Sequence, residues 1–351
     1  MAIFSVSNIK LSGIAACVPK TSESNLDYDW ISEQERNLLI KTTGIKNRRI
    51  ADKGITTSDL CLEAAKLLLQ KLNWNKEDIG AVILVSQSHD YFLPATSIIL
   101  QNKLGLPKSC IAFDIDLGCS GYVYGLATIA SLMSTAGIKK GLLLVGDISS
   151  FSLNKKDKSA YPLFGDAGTA SALELDATTR KMDFNLQSDG AGCDAIKISD
   201  GGMRHPLTQD SFKETEIEKG IIRSRRDLEL NGLEIFNFSL REVAPNINAL
   251  LQYNSTSVAD YDQFVFHQAN KLMNETIRKK LKVDADKVPY SLENYGNTSS
   301  ASIPLTIVSQ LADKVKNKDV SFLMSGFGTG YSWGSVALKT TDLVCPPVID
   351  L

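Results

Sequence analysis

Ile111-Ala112-Phe113-Asp114-Ile115 runs through Asp116-Leu117 into Gly118-Cys119-Ser120-Gly121, and the fold turns on how this stretch is parsed. Ile111–Ile115 has the apolar character of a buried strand, and the glycines around Cys119 mark a tight turn. Past the turn, Val123–Met133 is dense in small and apolar residues, the pattern of a helix packed on more than one side. Gly141–Val145 then reads as a second buried strand. The unit is therefore strand, Gly-Cys-Ser turn, buried helix, strand.

The same unit recurs downstream. Tyr290–Leu292 is expected to be a strand leading to Gly296-Asn297-Thr298, followed by a helix over Ile303–Val315 and a strand over Val320–Met324. Both copies end alike, Gly168–Leu173 being matched by Gly334–Leu338. Further strands are expected at Ile79–Val85 and Phe264–Phe266, and helices at Ser58–Leu72 and Lys271–Leu281. Near-continuous apolar strands alternating with helices indicate an α/β protein whose helices cover the sheet faces. Two copies imply two halves, residues 1–178 and 179–351, meeting near Ala177–Met182. The polar segment Ser152–Ser159 and the charged segment Asp210–Arg226 fall outside the repeat and read as surface loops or lids.

Composition narrows the function classes. The 351 residues are 43% hydrophobic and 22% charged, ample for one large core or two smaller ones. Thirty-eight basic against 40 acidic residues leave a net charge of -2, so nothing favours nucleic acid or an anionic membrane as partner. No window approaches the roughly 18 unbroken apolar residues of a membrane span. The N-terminal segment lacks the basic-then-apolar pattern of a signal peptide, Lys10 interrupting its apolar run. Six cysteines (17, 61, 110, 119, 193 and 345) are scattered without a Cys-x-x-Cys pair, so neither a disulfide framework nor a zinc site is expected, and a reducing cytoplasm fits.

Three residues are candidates for chemistry. Cys119 follows a strand and opens a helix, where unpaired amides are expected to lower a thiol's pKa. A free cysteine is otherwise commonly a small buried hydrophobe. His267 is one of three histidines and follows the strand Phe264–Phe266, at the kind of strand end where reactive groups collect. His89 and His205 lie in polar, loop-like surroundings. Asn297 holds in the second copy the place of Cys119 in the first, although Asn also serves simply as a turn residue. The glycine-rich stretch Gly326-Phe327-Gly328-Thr329-Gly330 follows the last strand of the second copy, and its amides could bind an oxyanion. No phosphate-loop pattern is present, and Gly190-Ala191-Gly192-Cys193-Asp194-Ala195 reads as a turn.

These stretches resemble β-ketoacyl-[acyl carrier protein] synthase III, a branch of the thiolase-like condensing enzymes. The similarity extends over Thr43-Gly44-Ile45, Asp114 through Leu126, Phe164-Gly165-Asp166, His267-Gln268-Ala269-Asn270, Gly296-Asn297-Thr298-Ser299 and Gly326–Gly334. The resemblance implies a five-layered αβαβα sandwich of two duplicated halves, a homodimer, and a triad of Cys119, His267 and Asn297. By that analogy Cys119 takes an acyl group from a thioester, and malonyl-[acyl carrier protein] loses CO₂ to form the attacking enolate. His267 and Asn297 would stabilise the enolate, with the amides of Cys119 and the Gly328-Thr329 turn as oxyanion hole. Leu93, Phe164 and Phe327 would line the acyl pocket, with Leu93 reaching it from the neighbouring subunit. Lys271, Arg278, Lys279 and Lys280 would dock the acidic carrier protein, where a solvated charged face is the plainer reading. Neither metal nor redox cofactor is implied.

The chain departs from the family where coenzyme A is bound. The expected adenine-stacking tryptophan falls at Leu38 and its arginine neighbour at Thr42. Lys158 stands for an arginine, and Leu272 for a basic residue after Asn270. These changes point away from acetyl-CoA and toward an acyl group carried by carrier protein or a less usual CoA ester. Two rival functions are a non-decarboxylating acyltransferase of the same fold and a non-catalytic partner subunit that binds acyl carriers. Relatives of the first kind tend to lose the asparagine and those of the second the nucleophile.

Overall fold

A computed structural model describes residues 2–179 and 181–351. Arg180, inside the expected boundary Ala177–Met182, lies outside the described residues. The apolar runs form two mixed sheets. In the first, the order is Ile349–Asp350, Ile9–Val18, Ala167–Leu175, Lys140–Asp147, Ile79–Val85 and Ile111–Ile115. In the second it is Ala2–Val6, Met182–Ser188, Ser332–Thr341, Asp319–Gly328 and Gln263–Phe266. Both sheets are mixed: Lys140–Asp147 pairs parallel to Ile79–Val85 and Asp319–Gly328 parallel to Gln263–Phe266, with antiparallel pairing on their other sides, and the short edge strand Ile349–Asp350 runs parallel to Ile9–Val18. The N-terminal strand pairs in the second sheet and the C-terminal strand in the first, so the two ends of the chain cross between the sheets.

Helices fill three layers around these sheets. The helix Gly121–Ala136 is apolar on nearly every face because it lies between the sheets. Its residues Val123, Leu126 and Met133 pack in one core with Ile303 and Leu311 of the helix Ser302–Val315, and with Ile14, Val145, Phe184 and Met324 of the strands. Gly125 permits the close approach: a Cβ there would lie 2.8 Å from both Leu143 Cδ1 and Val85 Cγ2. The outer layers are amphipathic, since one face meets water. Thr57–Leu72 and Thr96–Leu104 cover the first sheet, and Gly232–Asn254 and Lys271–Leu281 cover the second. The result is the five-layered α/β sandwich of the thiolase-like fold. Among the described residues no helix is long and apolar enough to cross a membrane.

One expected strand is absent. Tyr290–Leu292 does not join the second sheet; Leu292–Tyr295 forms a single helical turn. Side chains compete for its backbone and order it differently: Ser291 N–H donates to Gln268 Oε1 at 3.1 Å, and the Ser291 and Thr306 hydroxyls bond at 2.7 Å. Three residues offer too little ladder to outweigh these bonds. The segments Ser152–Ser159 and Asp210–Arg226 lie outside the two large sheets, and the second is not a plain loop but carries a hairpin of Thr215–Glu218 and Ile221–Arg223; the two segments hold each other. Asp157 bridges Ile221 and binds Arg223 at 3.3 Å, and Lys156 pairs with Glu214 at 2.6 Å.

Candidate active site

Cys119 lies in the turn between the strand Ile111–Ile115 and the helix Gly121–Ala136, and is only 6% exposed. The turn is tight, with Gly121 N–H donating to Gly118 C=O at 2.7 Å. A Cβ on Gly118 would fall 2.3 Å from Gln87 Oε1, so the end of that side chain would have to move aside. From the second half, the end of the strand Asp319–Gly328 closes over the sulfur, and a Cβ on Gly328 would sit 2.6 Å from Cys119 Cβ and 2.9 Å from Sγ. Thr329, through its amide and hydroxyl, and Ser299, through its hydroxyl, lie near enough to that sulfur to favour its thiolate. Gly328→Ala is therefore expected to displace the nucleophile and slow acylation of Cys119 by at least about tenfold, one 1.4 kcal/mol step, which rapid-quench mass spectrometry would measure.

The thiol is not acidic at rest. Burial, followed by the negative charge of Asp147, pushes it up to about 11, and the hydrogen bonds from Thr329 and Ser299 offset this only in part. Burial opposes the helix-terminus effect expected here. The helix begins at Gly121 with Ser120 as N-cap, so Cys119 stands outside it, and desolvation of a thiolate outweighs a partial charge.

His267 follows the strand Gln263–Phe266, and its N–H continues the ladder to Ser325 C=O at 2.8 Å. The ring is 1% exposed and meets Phe327 edge-on, with centroids 5.6 Å apart. Nδ1 lies 2.7 Å from Ser302 Oγ, which accepts the Gln268 amide N–H at 3.3 Å. The assignment consistent with both has the Ser302 O–H donating to Nδ1, leaving the ring proton on Nε2. Ser299 C=O accepts a hydrogen bond from the ring, but burial dominates and lowers the pKa to about 3. The imidazole is thus neutral and acts as a donor. Below its ordinary 6.5 the unfolded chain binds a proton that the folded site refuses, so stability falls as pH falls from there. The unfolding temperature should drop more between about pH 7 and about pH 5 in the wild type than in His267→Asn, measured calorimetrically.

Asn297 is held from both sides of its peptide. Its N–H donates to Leu163 C=O at 2.9 Å, and its C=O accepts from Gly165 N–H at 3.0 Å, beside Phe164. Its Oδ1 accepts the Ser299 N–H at 2.9 Å, which leaves the amide NH₂ as the free donor. Behind this loop sits Arg48, a fully buried arginine that sequence reasoning missed. It donates to Tyr161 C=O at 2.6 Å and Phe164 C=O at 3.0 Å and pairs with Glu23 at 2.9 Å. Ser302 and Asp147 were also missed. A carboxylate at the end of the apolar strand Lys140–Asp147 was the available signal for the latter.

The other candidates divide. Phe164 and Phe327 are buried beside Asn297 and His267. Leu93 does not join them, being 81% exposed, so within one chain it lines no buried pocket. His89 lies 3.8 Å from Asp114, and His205 is exposed, so neither joins the site. Lys271 and Lys279 are exposed on the helix Lys271–Leu281. Arg278 is instead tied to Glu275 and to Val283 C=O, and Lys280 to Leu240 C=O at 2.8 Å, so both are committed within the chain. At the expected coenzyme A positions, Leu38 is exposed and Lys158 pairs with Glu35 at 3.6 Å.

Comparison with known proteins bears on the same segments. A family model described as 3-oxoacyl-[acyl-carrier-protein (ACP)] synthase III matches residues 113–190, and its C-terminal companion matches residues 251–340. The chain is 32% identical over 328 residues to the β-ketoacyl-[acyl-carrier-protein] synthase III of Campylobacter fetus, spanning 93% of this chain and 96% of the relative. Against the protein of that name from Clostridioides difficile it is 32% identical over 330 residues, spanning 94% and 97%. A solved 3-oxoacyl-(acyl-carrier protein) synthase from Burkholderia xenovorans superposes with a TM-score of 0.93 at 36% identity, over 99% of both chains. The synthase III of Pseudomonas aeruginosa does so with a TM-score of 0.82 at 26% identity, over 96% of this chain and 99% of that one. The chain belongs to the 3-oxoacyl-[acyl-carrier-protein] synthase III family of acyltransferases.

Proposed function

We propose that this enzyme carries an acyl group on Cys119 and condenses it with malonyl-[acyl carrier protein], giving a 3-oxoacyl-[acyl carrier protein] for fatty acid or related acyl-chain synthesis. The observation that carries this reading is the enclosure of one buried sulfur by donors from distant segments, Thr329 and Ser299, with Ser299 also bonded to His267 and Asn297. The acyl thioester binds with its carbonyl oxygen at the amides of Cys119 and Thr329. The sulfur attacks, the donor thiol leaves, and the acyl-enzyme remains. Malonyl-[acyl carrier protein] then places its thioester oxygen against the Asn297 NH₂ and takes the His267 Nε2–H over from the Ser299 C=O. Two neutral donors in a dry site stabilise the enolate formed as CO₂ departs. The enolate carbon attacks the acyl-enzyme and expels the Cys119 thiolate. The free NH₂ of Asn297 supports this decarboxylating reaction over simple acyl transfer, since transfer alone needs no enolate donor. Incubating the protein with acyl-CoA and acyl-carrier thioesters, then with malonyl-[acyl carrier protein], tests it: a Cys119 adduct followed by CO₂ release is the expected result, and an adduct without CO₂ release would mean plain acyl transfer.

Several finer features belong to this reading. The two halves, 1–178 and 179–351, act as one site at their seam. A cytoplasmic setting agrees with six free cysteines. Exposed Lys271 and Lys279 form the carrier-docking face, with Arg278 and Lys280 shaping it from committed positions. A homodimer accounts for Tyr91, Phe92 and Leu93, which are 64%, 94% and 81% exposed in one chain, and for the open edge of Ile111–Ile115. Leu93 then reaches the acyl pocket of the second copy. Phe92→Asp with Leu93→Asp should convert the dimer to a monomer in sedimentation and lower condensation more than about tenfold, through the loss of two buried apolar side chains per subunit.

A further inference from the structure

Arg48 is a buried cation that the mechanism above leaves unused. It is 1% exposed and lies on the short strand Asn47–Arg49. Nη1 donates to Tyr161 C=O at 2.6 Å and to Phe164 C=O at 3.0 Å, and Nη2 pairs with Glu23 Oε2 at 2.9 Å. Nε has no hydrogen-bond partner among the described residues. The guanidinium carbon lies 4.6 Å from the centre of the Tyr161 ring, and the Tyr161 hydroxyl donates to the same Glu23 oxygen at 2.7 Å. Taking an arginine out of water is costly, and apolar residues of similar volume often fill such a place as stably. A guanidinium kept there needs a reason other than stability.

That reason lies in what the carbonyls are joined to. The Phe164 C=O and the Gly165 N–H belong to one peptide group, and this N–H donates to Asn297 C=O at 3.0 Å. A cation on the oxygen polarises the peptide and strengthens donation from its N–H, the cooperative gain of hydrogen bonds in series. From the same segment, Leu163 C=O accepts the Asn297 N–H at 2.9 Å. Arg48 thus grips Tyr161–Gly165 at two points, and that segment holds Asn297 by both its N–H and its C=O. Asn25, also 1% exposed, adds a hold by donating to Pro162 C=O at 2.9 Å and Ile45 C=O at 3.1 Å. Gly296, with φ of 65°, lets the segments close: a Cβ there would lie 2.8 Å from Leu163 O and 3.1 Å from Arg48 Cγ. With the backbone held and Oδ1 accepting the Ser299 N–H at 2.9 Å, the direction of the Asn297 NH₂ is set.

We propose that Arg48 is a positioning residue for decarboxylation: through the Phe164–Gly165 peptide it fixes Asn297 so that the amide NH₂ meets the enolate oxygen. The inference rests on Asn297 acting as the enolate donor. A donor of this kind stabilises developing charge only if it is already in place, and a loose loop would surrender that advantage by having to reorganise. Cys119 is held by other segments, the turn after Ile111–Ile115 and the end of Asp319–Gly328. Arg48 therefore governs the second half-reaction and leaves the first nearly untouched.

The test uses the full chain with acetyl-CoA, hexanoyl-CoA and decanoyl-CoA as acyl donors and malonyl-[acyl carrier protein] as second substrate. Intact-mass analysis counts the Cys119 sites that acylate, and CO₂ release is expressed per acylated site, so unfolded protein drops out of the comparison. Arg48→Met should lower that rate by about 10–100-fold, while acylation stays within a few-fold of the wild type. In an Asn297→Asp background Arg48→Met should cost no more than about twofold further, because the donor it positions is gone. Equal slowing of both half-reactions, an unchanged CO₂ rate, or full additivity with Asn297→Asp overturns the positioning role. Should Arg48→Met fail to fold, Arg48→Lys decides, since an ammonium keeps the charge but lacks the planar fork that serves two carbonyls and Glu23 together. A several-fold loss of CO₂ release per site is then expected, and a rate equal to the wild type overturns the role. A wild type that releases no CO₂, or an Asn297→Asp as fast as the wild type, sinks the enolate-donor reading and this inference with it; a slow Asn297→Asp beside a fast Arg48→Met sinks the inference alone.

Discussion

Cys119→Ala should abolish acyl-enzyme formation and cut condensation by at least about 10³-fold, the scale seen when a nucleophile is removed from a preorganised site. The residual rate is whatever the remaining donors provide without a covalent intermediate. Stability should hardly change. The side chain is small and buried, and losing one atom of about methylene size costs about 1 kcal/mol. Cys119→Ser sharpens the test, because it preserves volume and the donors around the atom while replacing a thiol by a far weaker acid. A serine variant that retained near-native condensation would remove Cys119 from the mechanism. Intact-mass analysis after exposure to the thioester panel, beside a condensation assay and a thermal melt, distinguishes lost chemistry from lost fold.

The second large effect separates the two half-reactions. Asn297→Asp keeps the Oδ1 that receives the Ser299 N–H and the backbone bonds to Leu163 and Gly165, so the loop should hold its shape. What it loses is the NH₂ donor, and it places an acceptor where the enolate oxygen must sit. Decarboxylation of malonyl-[acyl carrier protein] and product formation should fall by about 10²–10³-fold, the range for deleting one oxyanion donor. Acylation of Cys119 should stay within a few-fold of the wild type, because Thr329 and Ser299, the residues that touch the sulfur, are untouched. Equal losses in both half-reactions would show that Asn297 holds the site together and does not act on the enolate.

Residues 79–85, 111–115 and 271–281 formed the elements expected of them to the residue, and other boundaries moved only slightly, as when Gly141–Val145 became Lys140–Asp147. These elements are readable because each is longer than a turn and its pattern follows its burial on a single face or on all of them. Tyr290–Leu292 is too short for such a signal, and bonds from Gln268 and Thr306 decided its shape. The candidate triad stood out for other reasons: Cys119 and Asn297 each follow a glycine ahead of an apolar helix, and His267 is a rare residue at a strand end. Their supports were not. Arg48, Asp147 and Ser302 meet their partners across 113, 153 and 35 positions of chain, and no local pattern records a contact of that separation.

What the linear chain determines by itself is thus the alternation of strands and helices and the chemical types placed at the turns after them, since these depend on spacing among neighbours. Only the folded molecule decides that burial pushes the thiol up to about 11 and the imidazole down to about 3, that Arg278 is bound and Lys279 exposed, and that the Ser299 N–H orients Asn297. The physical reason is that protonation and hydrogen bonding answer to desolvation and to charges brought within a few ångströms, and that proximity is created by packing two sheets on a shared helical layer.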